Sequence, residues 1–173
     1  MSRTLLRRVS AAIALTAAAV AFAGASTSSA AVTYDLIRNS NSAKCLDVAD
    51  GSRSNKAAIA QYVCDASKSH QQWTLEEVGD GSGAVRIKAA HSGKCIDIWD
   101  SSQDPTADAI QYTCSATKWN QQFLVETTDS GAKKFRARHS GLCLDISGHD
   151  FENKSILHQD TCVTHRAQLF TIG

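Results

Sequence analysis

Six cysteines divide this chain into three similar stretches, and no other feature limits its fold as much. The cysteines of each stretch are 19 residues apart: Cys45 and Cys64, Cys95 and Cys114, Cys143 and Cys162. A Cys-apolar-Asp-apolar run begins each stretch, and a Gln-x-aromatic triplet ends it. The triplets are Gln71-Gln72-Trp73, Gln121-Gln122-Phe123 and Gln168-Leu169-Phe170. Repeats of about 50 residues decide the fold, because such units stack on one another to bury a continuous core.

The first 30 residues have the layout of a secretory signal peptide. Three arginines precede an apolar stretch over about residues 9–24, and the small residues around Ala30 offer a cleavage site. The apolar stretch is too short to span a bilayer comfortably, and nothing later in the sequence resembles a membrane segment. We therefore predict a signal peptide over residues 1–30, a secreted single domain over residues 31–173, and no membrane insertion.

The charge balance argues against two classes of partner. The chain has 18 Lys and Arg against 17 Asp and Glu, and loss of the three leader arginines leaves a mature protein near −2. Recognition of phosphates requires Lys and Arg clustered on a basic domain. We expect binding neither to nucleic acid nor to anionic lipid.

Secretion places the cysteines where thiols oxidise, and an even number at equal spacing indicates a disulfide framework. The bonds are expected within the repeats, as Cys45–Cys64, Cys95–Cys114 and Cys143–Cys162. A cysteine zinc site needs closely spaced ligands such as CxxC, and no cysteine has a neighbour at that spacing. The prediction is three disulfides, no metal and no cofactor.

Apolar and charged residues alternate outside the leader, as in Val85-Arg86-Ile87-Lys88, which is typical of strands with one buried face. Turn signals separate these segments into about four short strands per repeat. Some twelve strands in three similar units predict a closed threefold all-β architecture, because closure removes exposed strand edges.

The Cys-x-Asp run, the second cysteine and the Gln-x-aromatic triplet, repeated three times in register, resemble the ricin-type β-trefoil family of lectins and carbohydrate-binding modules. The resemblance extends from Asp35 to Gly173. It implies an all-β β-trefoil of three repeats of about 48 to 50 residues, at roughly 34–80, 81–130 and 131–173, with one disulfide each. It also implies a lectin that binds galactose- or xylose-type glycans or polysaccharides non-covalently.

Two positions of the repeat are expected to be structural. Equivalent aromatics of three repeats meet near the pseudo-threefold axis, so Trp73, Phe123 and Phe170 are predicted in the core. The Gln two places before each aromatic is expected to hydrogen-bond to the backbone of its repeat, with sugar contact as a secondary role.

The second repeat carries the best candidate sugar site. Alternation turns Asp97 toward the surface, where its carboxylate can accept hydrogen bonds from sugar hydroxyls. The alternative is an Asp that tethers its own backbone turn. Tyr112 offers a ring for stacking on a sugar, with a packing role as the alternative, and the resemblance implies an orienting amide at Asn120. Gln121 and Trp99 complete the candidate, and Trp119 can widen the platform; the alternative for either tryptophan is local packing.

The first repeat is a second candidate site, and the third is expected to be only structural. The first site consists of Asp47, Tyr62, His70 and Gln71. In the third repeat Asp160 stands where the others have Tyr, and Ala167 stands where the family has Asn. We interpret both changes as loss of sugar binding.

One departure separates the chain from galactose-binding plant lectins. Several sugar-binding members of the family carry a Gln two residues before the aromatic, where this chain has Ala60, Ile110 and His158. Gln61 and Gln111 stand one residue later, on the opposite face of a regular strand.

Other functions remain as alternatives to a lectin. No GxSxG or HExxH motif occurs, and His91 and His139 occupy turn positions, so we expect no catalysis. A trefoil can instead inhibit a protease through an exposed loop, here the loop Asp100–Asp108, or bind another protein with vestigial sugar sites.

Overall fold

Each repeat forms four short strands, as the alternating segments predict. The computed structural model describes residues 32–173, so the predicted signal peptide lies outside the described residues. The strands of the first repeat are β1 Asp35–Asn39, β2 Cys45–Val48, β3 Ile59–Tyr62 and β4 Gln72–Glu77. Those of the second are β5 Ala84–Ala89, β6 Cys95–Ile98, β7 Ala109–Tyr112 and β8 Phe123–Thr127. Those of the third are β9 Lys133–Ala137, β10 Cys143–Ile146, β11 Leu157–Asp160 and β12 Phe170–Ile172.

The first and last strands of every repeat close into a barrel. Strands β1, β4, β5, β8, β9 and β12 each pair antiparallel with two others of this set, and the ring closes between β12 and β1. The hairpins β2–β3, β6–β7 and β10–β11 extend from the barrel. Single backbone bridges join these hairpins to one another. The architecture is the predicted β-trefoil.

The repeated aromatics occupy the core. Trp73, Phe123 and Phe170 are fully buried, which confirms the sequence prediction. They pack with Ile37, Ile87 and Phe135, which occupy equivalent places on β1, β5 and β9.

The described part of the chain has no helix long and apolar enough to cross a membrane.

The three disulfides form as predicted, one within each repeat. Each joins the first residue of a hairpin to the loop that follows the hairpin's second strand. Closing a loop of this length restricts the unfolded chain by roughly 3 kcal/mol per bond in the chain-entropy model.

A buried glutamine links each repeat to the one before it around the ring. Gln111 Nε2 donates to the carbonyl oxygens of Ser52 and Ser54, at 2.7 and 2.8 Å. Gln159 bonds to the loop of the second repeat in the same way, and Gln61 to the loop of the third. The three glutamines hold the repeats together, and Gln61 also lies in the lining of a cavity in the first repeat.

His91 and His139 join the turns before β6 and β10 to the preceding repeat. Each Nε2 lies 2.8 Å from a carbonyl oxygen, of Ser52 and Ser102 respectively. Because a carbonyl only accepts, Nε2 carries the proton. Both Nδ1 atoms are buried without a partner among the described residues. Burial lowers the pKa of both histidines.

The paired substitutions His91→Asn and His139→Asn are expected to reduce the acid sensitivity of the fold. The folded-state pKa values lie below the ordinary 6.5, so the unfolded chain binds protons first as pH falls. Stability from these groups is complete above about pH 6.5 and declines as pH drops below it. The first repeat has Asn41 at this place, where Nδ2 donates to His149 O at 2.7 Å. Melting temperatures measured between about pH 8 and 5 test this, and an unchanged slope contradicts it.

Candidate functional site

The aspartate of each Cys-x-Asp run is held by the glutamine that begins the closing triplet. Nε2 of Gln71, Gln121 and Gln168 donates to Asp47, Asp97 and Asp145, at 2.7, 2.7 and 2.8 Å. The same Nε2 atoms donate to a backbone carbonyl, and each Oε1 accepts from a backbone N–H. These glutamines are buried, and the predicted backbone bonding is confirmed. Their amide atoms are engaged by the protein.

In the second repeat the structure brings together four of the predicted site residues. A cavity of about 250 Å³ is lined by Asp97, Trp99, Tyr112 and Asn120. Asn120 Nδ2 donates to Asp97 Oδ1 at 2.8 Å and to the carbonyl oxygen of Ile98 at 2.9 Å. Gln121 lies behind the aspartate and does not line this cavity. We call this cavity, with its lining residues, the second pocket.

The two tryptophans of the second repeat have different environments. Trp99 lines the second pocket and is 43% exposed. Trp119 is 53% exposed but lies outside that lining, with Arg138 Cζ 4.5 Å from its ring centroid. The structure therefore places Trp99 in the candidate platform and Trp119 beside it.

The first repeat forms a larger cavity at the equivalent place, of about 460 Å³, lined by Asp47, Tyr62 and His70. We call it the first pocket. His70 Nδ1 lies 3.2 Å from Asp47 Oδ2, so His70 takes the place that Asn120 holds in the second pocket. Its ring packs over Gly51, where an added Cβ would lie 3.4 Å from the imidazole. Gln71 is again behind the aspartate.

Each pocket contains lysines that the sequence analysis did not include. Lys118 Nζ lies 4.9 Å from the ring centroid of Tyr112, and Lys68 Nζ lies 5.9 Å from that of Tyr62. A second lysine comes from another repeat. Lys56 of the first repeat lines the second pocket, and Lys154 of the third repeat lines the first pocket.

The backbone explains how a lysine reaches its neighbour's pocket. The N–H of Lys56 donates to Gln111 O at 2.9 Å, and that of Lys154 donates to Gln61 O at 2.8 Å. Both lysines have a φ of 72°, which turns the loop sharply beside the neighbouring hairpin. Lys56 and Lys154 hold equivalent places in the repeat, but the sequence does not indicate which pocket they enter.

Burial sets the electrostatics of the second pocket. Asp97 is only 3% exposed, and desolvation raises the pKa of its carboxyl group above the ordinary 3.8. The hydrogen bond from Gln121 and the charge of Lys118 oppose this shift. The carboxylate of Asp97 is therefore held in a fixed orientation, and only a small part of its surface is open to a ligand.

Geometry and sequence together define the class: a β-trefoil whose hairpins carry shallow pockets built around a braced aspartate. The family model of the ricin-type β-trefoil lectin domain-like proteins matches residues 22–112 and 119–173. The chain belongs to this family, and membership supports carbohydrate binding in general. A search of curated proteins gave no match.

Several solved structures are similar to this chain. ThreeFoil, a designed threefold-symmetric protein, is 32% identical with a TM-score of 0.77, over 80% of this chain and 96% of that one. An exo-β-1,3-galactanase from Clostridium thermocellum is 31% identical with a TM-score of 0.76, over 83% of this chain but only 30% of that one. The C-half of an earthworm R-type lectin, solved with GalNAc, is 15% identical with a TM-score of 0.64, over 80% and 96%, and shows the fold alone.

Proposed function

We propose that this chain is a secreted lectin that binds glycans or polysaccharides non-covalently through the first and second pockets. The observation that carries the proposal is the arrangement in the second pocket, where Asp97 is braced by two amides beside the ring of Tyr112. The three disulfides agree with folding in an oxidising compartment. The signal peptide over residues 1–30 remains part of the proposal.

In this proposal Asp97 is the hydrogen-bond acceptor for sugar hydroxyls. Each carboxylate oxygen already accepts one bond from the protein, and each has a second lone pair. Both amide hydrogens of Asn120 are used internally, so Asn120 offers the ligand only its Oδ1. Gln71 and Gln121 then position the aspartates rather than contact sugar.

The aromatic rings supply the apolar part of the contact. The C–H face of a pyranose stacks on Tyr112, with Trp99 extending the apolar surface of the same pocket. Lys118 lies near the Tyr112 ring, so a sugar on that face displaces this flexible side chain. The lysine ammonium groups then donate hydrogen bonds to ligand oxygens.

Two pockets on one domain favour a polymeric ligand. A shallow pocket binds one sugar weakly, but two pockets on one polysaccharide gain from effective concentration. The galactanase similarity and the GalNAc complex of the earthworm lectin make galactosides natural probes, and xylan is the other.

A binding panel tests the proposal. Mature, oxidised protein is titrated with lactose, β-1,3-galactan, arabinoxylan and arabinan by calorimetry and by affinity electrophoresis. Binding to at least one probe that is lost in the double variant Asp47→Ala/Asp97→Ala supports the proposal. Absence of binding across this panel and a glycan array contradicts it.

Acid is expected to weaken binding by the second pocket at a higher pH than an ordinary aspartate implies. The raised pKa of Asp97 means that its carboxylate protonates above the usual value of 3.8, and protonation removes the charge and turns one acceptor oxygen into a donor. An Asp47→Ala variant isolates the second pocket, and its affinity is measured from about pH 7 down to 4. Affinity that is constant until the ordinary aspartate range argues against this role.

The alternatives have no comparable support. The loop Asp100–Asp108 is tethered like its counterparts, since Ser102 O and Asp104 O accept from Gln159. No described feature distinguishes it as an inhibitory loop. We propose binding rather than catalysis, and a protease-inhibition assay in parallel with the glycan panel tests the inhibitor hypothesis.

A further inference from the structure

The third repeat replaces the pocket residues of the other two repeats with a different chemistry. Four changes lie within the third repeat: Asp160 for Tyr62 and Tyr112, His158 for Ala60 and Ile110, His149 for Gly51 and Ser101, and His165 for Lys68 and Lys118. In addition, the second repeat presents Thr106 to this hairpin where the other two pockets receive Lys154 and Lys56, and the N–H of Thr106 donates to Gln159 O at 2.7 Å. Aromatic and cationic groups are lost, and imidazole and carboxylate groups take their place. Three of the four changes within the third repeat introduce a histidine, which neither of the other repeats has at these places.

We propose that the third repeat binds a divalent first-row transition metal ion such as Zn²⁺ through Asp145, His158 and Asp160. Asp145 lies directly opposite His158 in the β10–β11 pairing, and Asp160 follows His158 by two residues on the same strand face. One ligand atom from each residue lies within 4.8 Å of the others. Donor atoms around a bound Zn²⁺ are about 3 to 3.5 Å apart, so small side-chain rotations complete the site.

An orphaned oxygen supports the site independently. Asp145 is 1% exposed, and its Oδ1 is buried without a hydrogen-bond partner among the described residues. Its Oδ2 accepts from Gln168, as the equivalent aspartates accept from their glutamines. In the second repeat the corresponding Oδ1 is satisfied by Asn120, whereas the third repeat has Ala167 there. A buried carboxylate oxygen without a donor is costly, and a cation bound there removes that cost.

Two histidines extend the cluster. His149 Nε2 lies 3.7 Å from Asp145 Oδ2, and the ring of His149 stacks on His165 with centroids 3.9 Å apart. His149 therefore lies beside the cluster, although it is not one of the three residues whose ligand atoms lie within 4.8 Å of one another. Each sugar pocket has two lysines, and at the equivalent places the third hairpin has His165 and Thr106 instead. No lysine at these two places repels a cation.

The donor set selects the class of metal. Imidazole nitrogen favours Zn²⁺, Cu²⁺ and Ni²⁺ over Mg²⁺ and Ca²⁺, and carboxylates complete the coordination of such ions. The cysteines take no part, since all six are in disulfides. The prediction of no metal rested on cysteine spacing, which does not bear on ligands from His and Asp.

Calorimetry with Zn²⁺ tests the site. Tag-free mature protein is stripped with a chelator, and about one Zn²⁺ per chain is expected to bind. The variant His158→Ile/Asp160→Tyr carries the residues of the second repeat, Ile110 and Tyr112, and is expected to weaken binding more than about tenfold. His139→Asn, which carries the residue of the first repeat at Asn41, is the matched control and is expected to keep full affinity.

A second measurement does not depend on any variant. Paramagnetic Co²⁺ added to isotope-labelled wild-type protein is expected to broaden amide signals selectively around residues 145–160. Broadening elsewhere, equal Zn²⁺ affinity of the double variant, or no binding by the wild type overturns the proposal. Glycan binding is expected to be unchanged in the double variant, so failure of the metal site and failure of the lectin proposal are distinguishable.

Discussion

The double substitution Asp47→Ala/Asp97→Ala is expected to abolish measurable polysaccharide binding. A hydrogen bond to a charged group contributes about 1.5 to 3 kcal/mol, and 1.4 kcal/mol is tenfold in affinity. Loss of one aspartate therefore weakens its own pocket by roughly 10- to 100-fold. Loss of both also removes the gain from two linked pockets. Affinity electrophoresis in galactan or arabinoxylan gels measures the effect.

A conservative pair at Tyr112 separates ligand contact from damage to the fold. Tyr112→Phe keeps the ring and is expected to keep most of the affinity, whereas Tyr112→Ala removes the stacking surface and weakens the second pocket. Asp129→Ala, an exposed carboxylate in the β8–β9 turn, is the surface control. Thermal melts of every variant confirm folding. Binding that survives the double aspartate variant disproves the site assignment.

Trp73→Ala is expected to have the largest effect on stability, about 3 to 5 kcal/mol. Trp73 is fully buried in the core cluster, and its Nε1 donates to Leu46 O at 3.0 Å. Removal of the indole leaves a cavity and an unpaired carbonyl. Urea denaturation of the oxidised protein measures the change in the free energy of unfolding.

Trp73→Phe is the matched control, because the other two repeats carry Phe123 and Phe170 at this place. It keeps an aromatic ring in the core and loses the hydrogen bond, so its cost is expected to be clearly smaller, about 1 to 2 kcal/mol. Equal losses in both variants, or a loss below about 1 kcal/mol in Trp73→Ala, contradict the core role.

Contacts within a repeat could be predicted from the sequence. The disulfides and the glutamine bonds to the backbone occur in all three copies, and the structure contains each of them. They link residues that are close together in the chain, so the spacing of the motif within each repeat is enough to predict them. Asp97, Tyr112 and Asn120 belong to this group, because one hairpin and the short 3-10 turn after it bring them together.

Contacts between repeats could not be predicted in the same way. The entry of Lys56 and Lys154 into neighbouring pockets depends on closure of the barrel, as do the links of Gln61, Gln111 and Gln159. In the first pocket, closure of the barrel places Lys154 of the third repeat beside Asp47 of the first repeat. The alternation of residues along a strand does not indicate which side chains of different repeats meet.

The three cysteine pairs by themselves determine the repeat and the disulfides, because each copy of the unit has the same short-range packing. The β-trefoil follows from the sequence through the resemblance of the whole repeated motif to the ricin-type family. The sequence also locates the aspartate, aromatic and amide that we propose for sugar binding. Only the tertiary structure decides what surrounds them: lysines from another repeat at two pockets, and an unpaired carboxylate oxygen among imidazoles at the third. The physical reason is that a closed barrel brings the hairpins of different repeats together, and the chemistry of each pocket depends on side chains far apart in the chain.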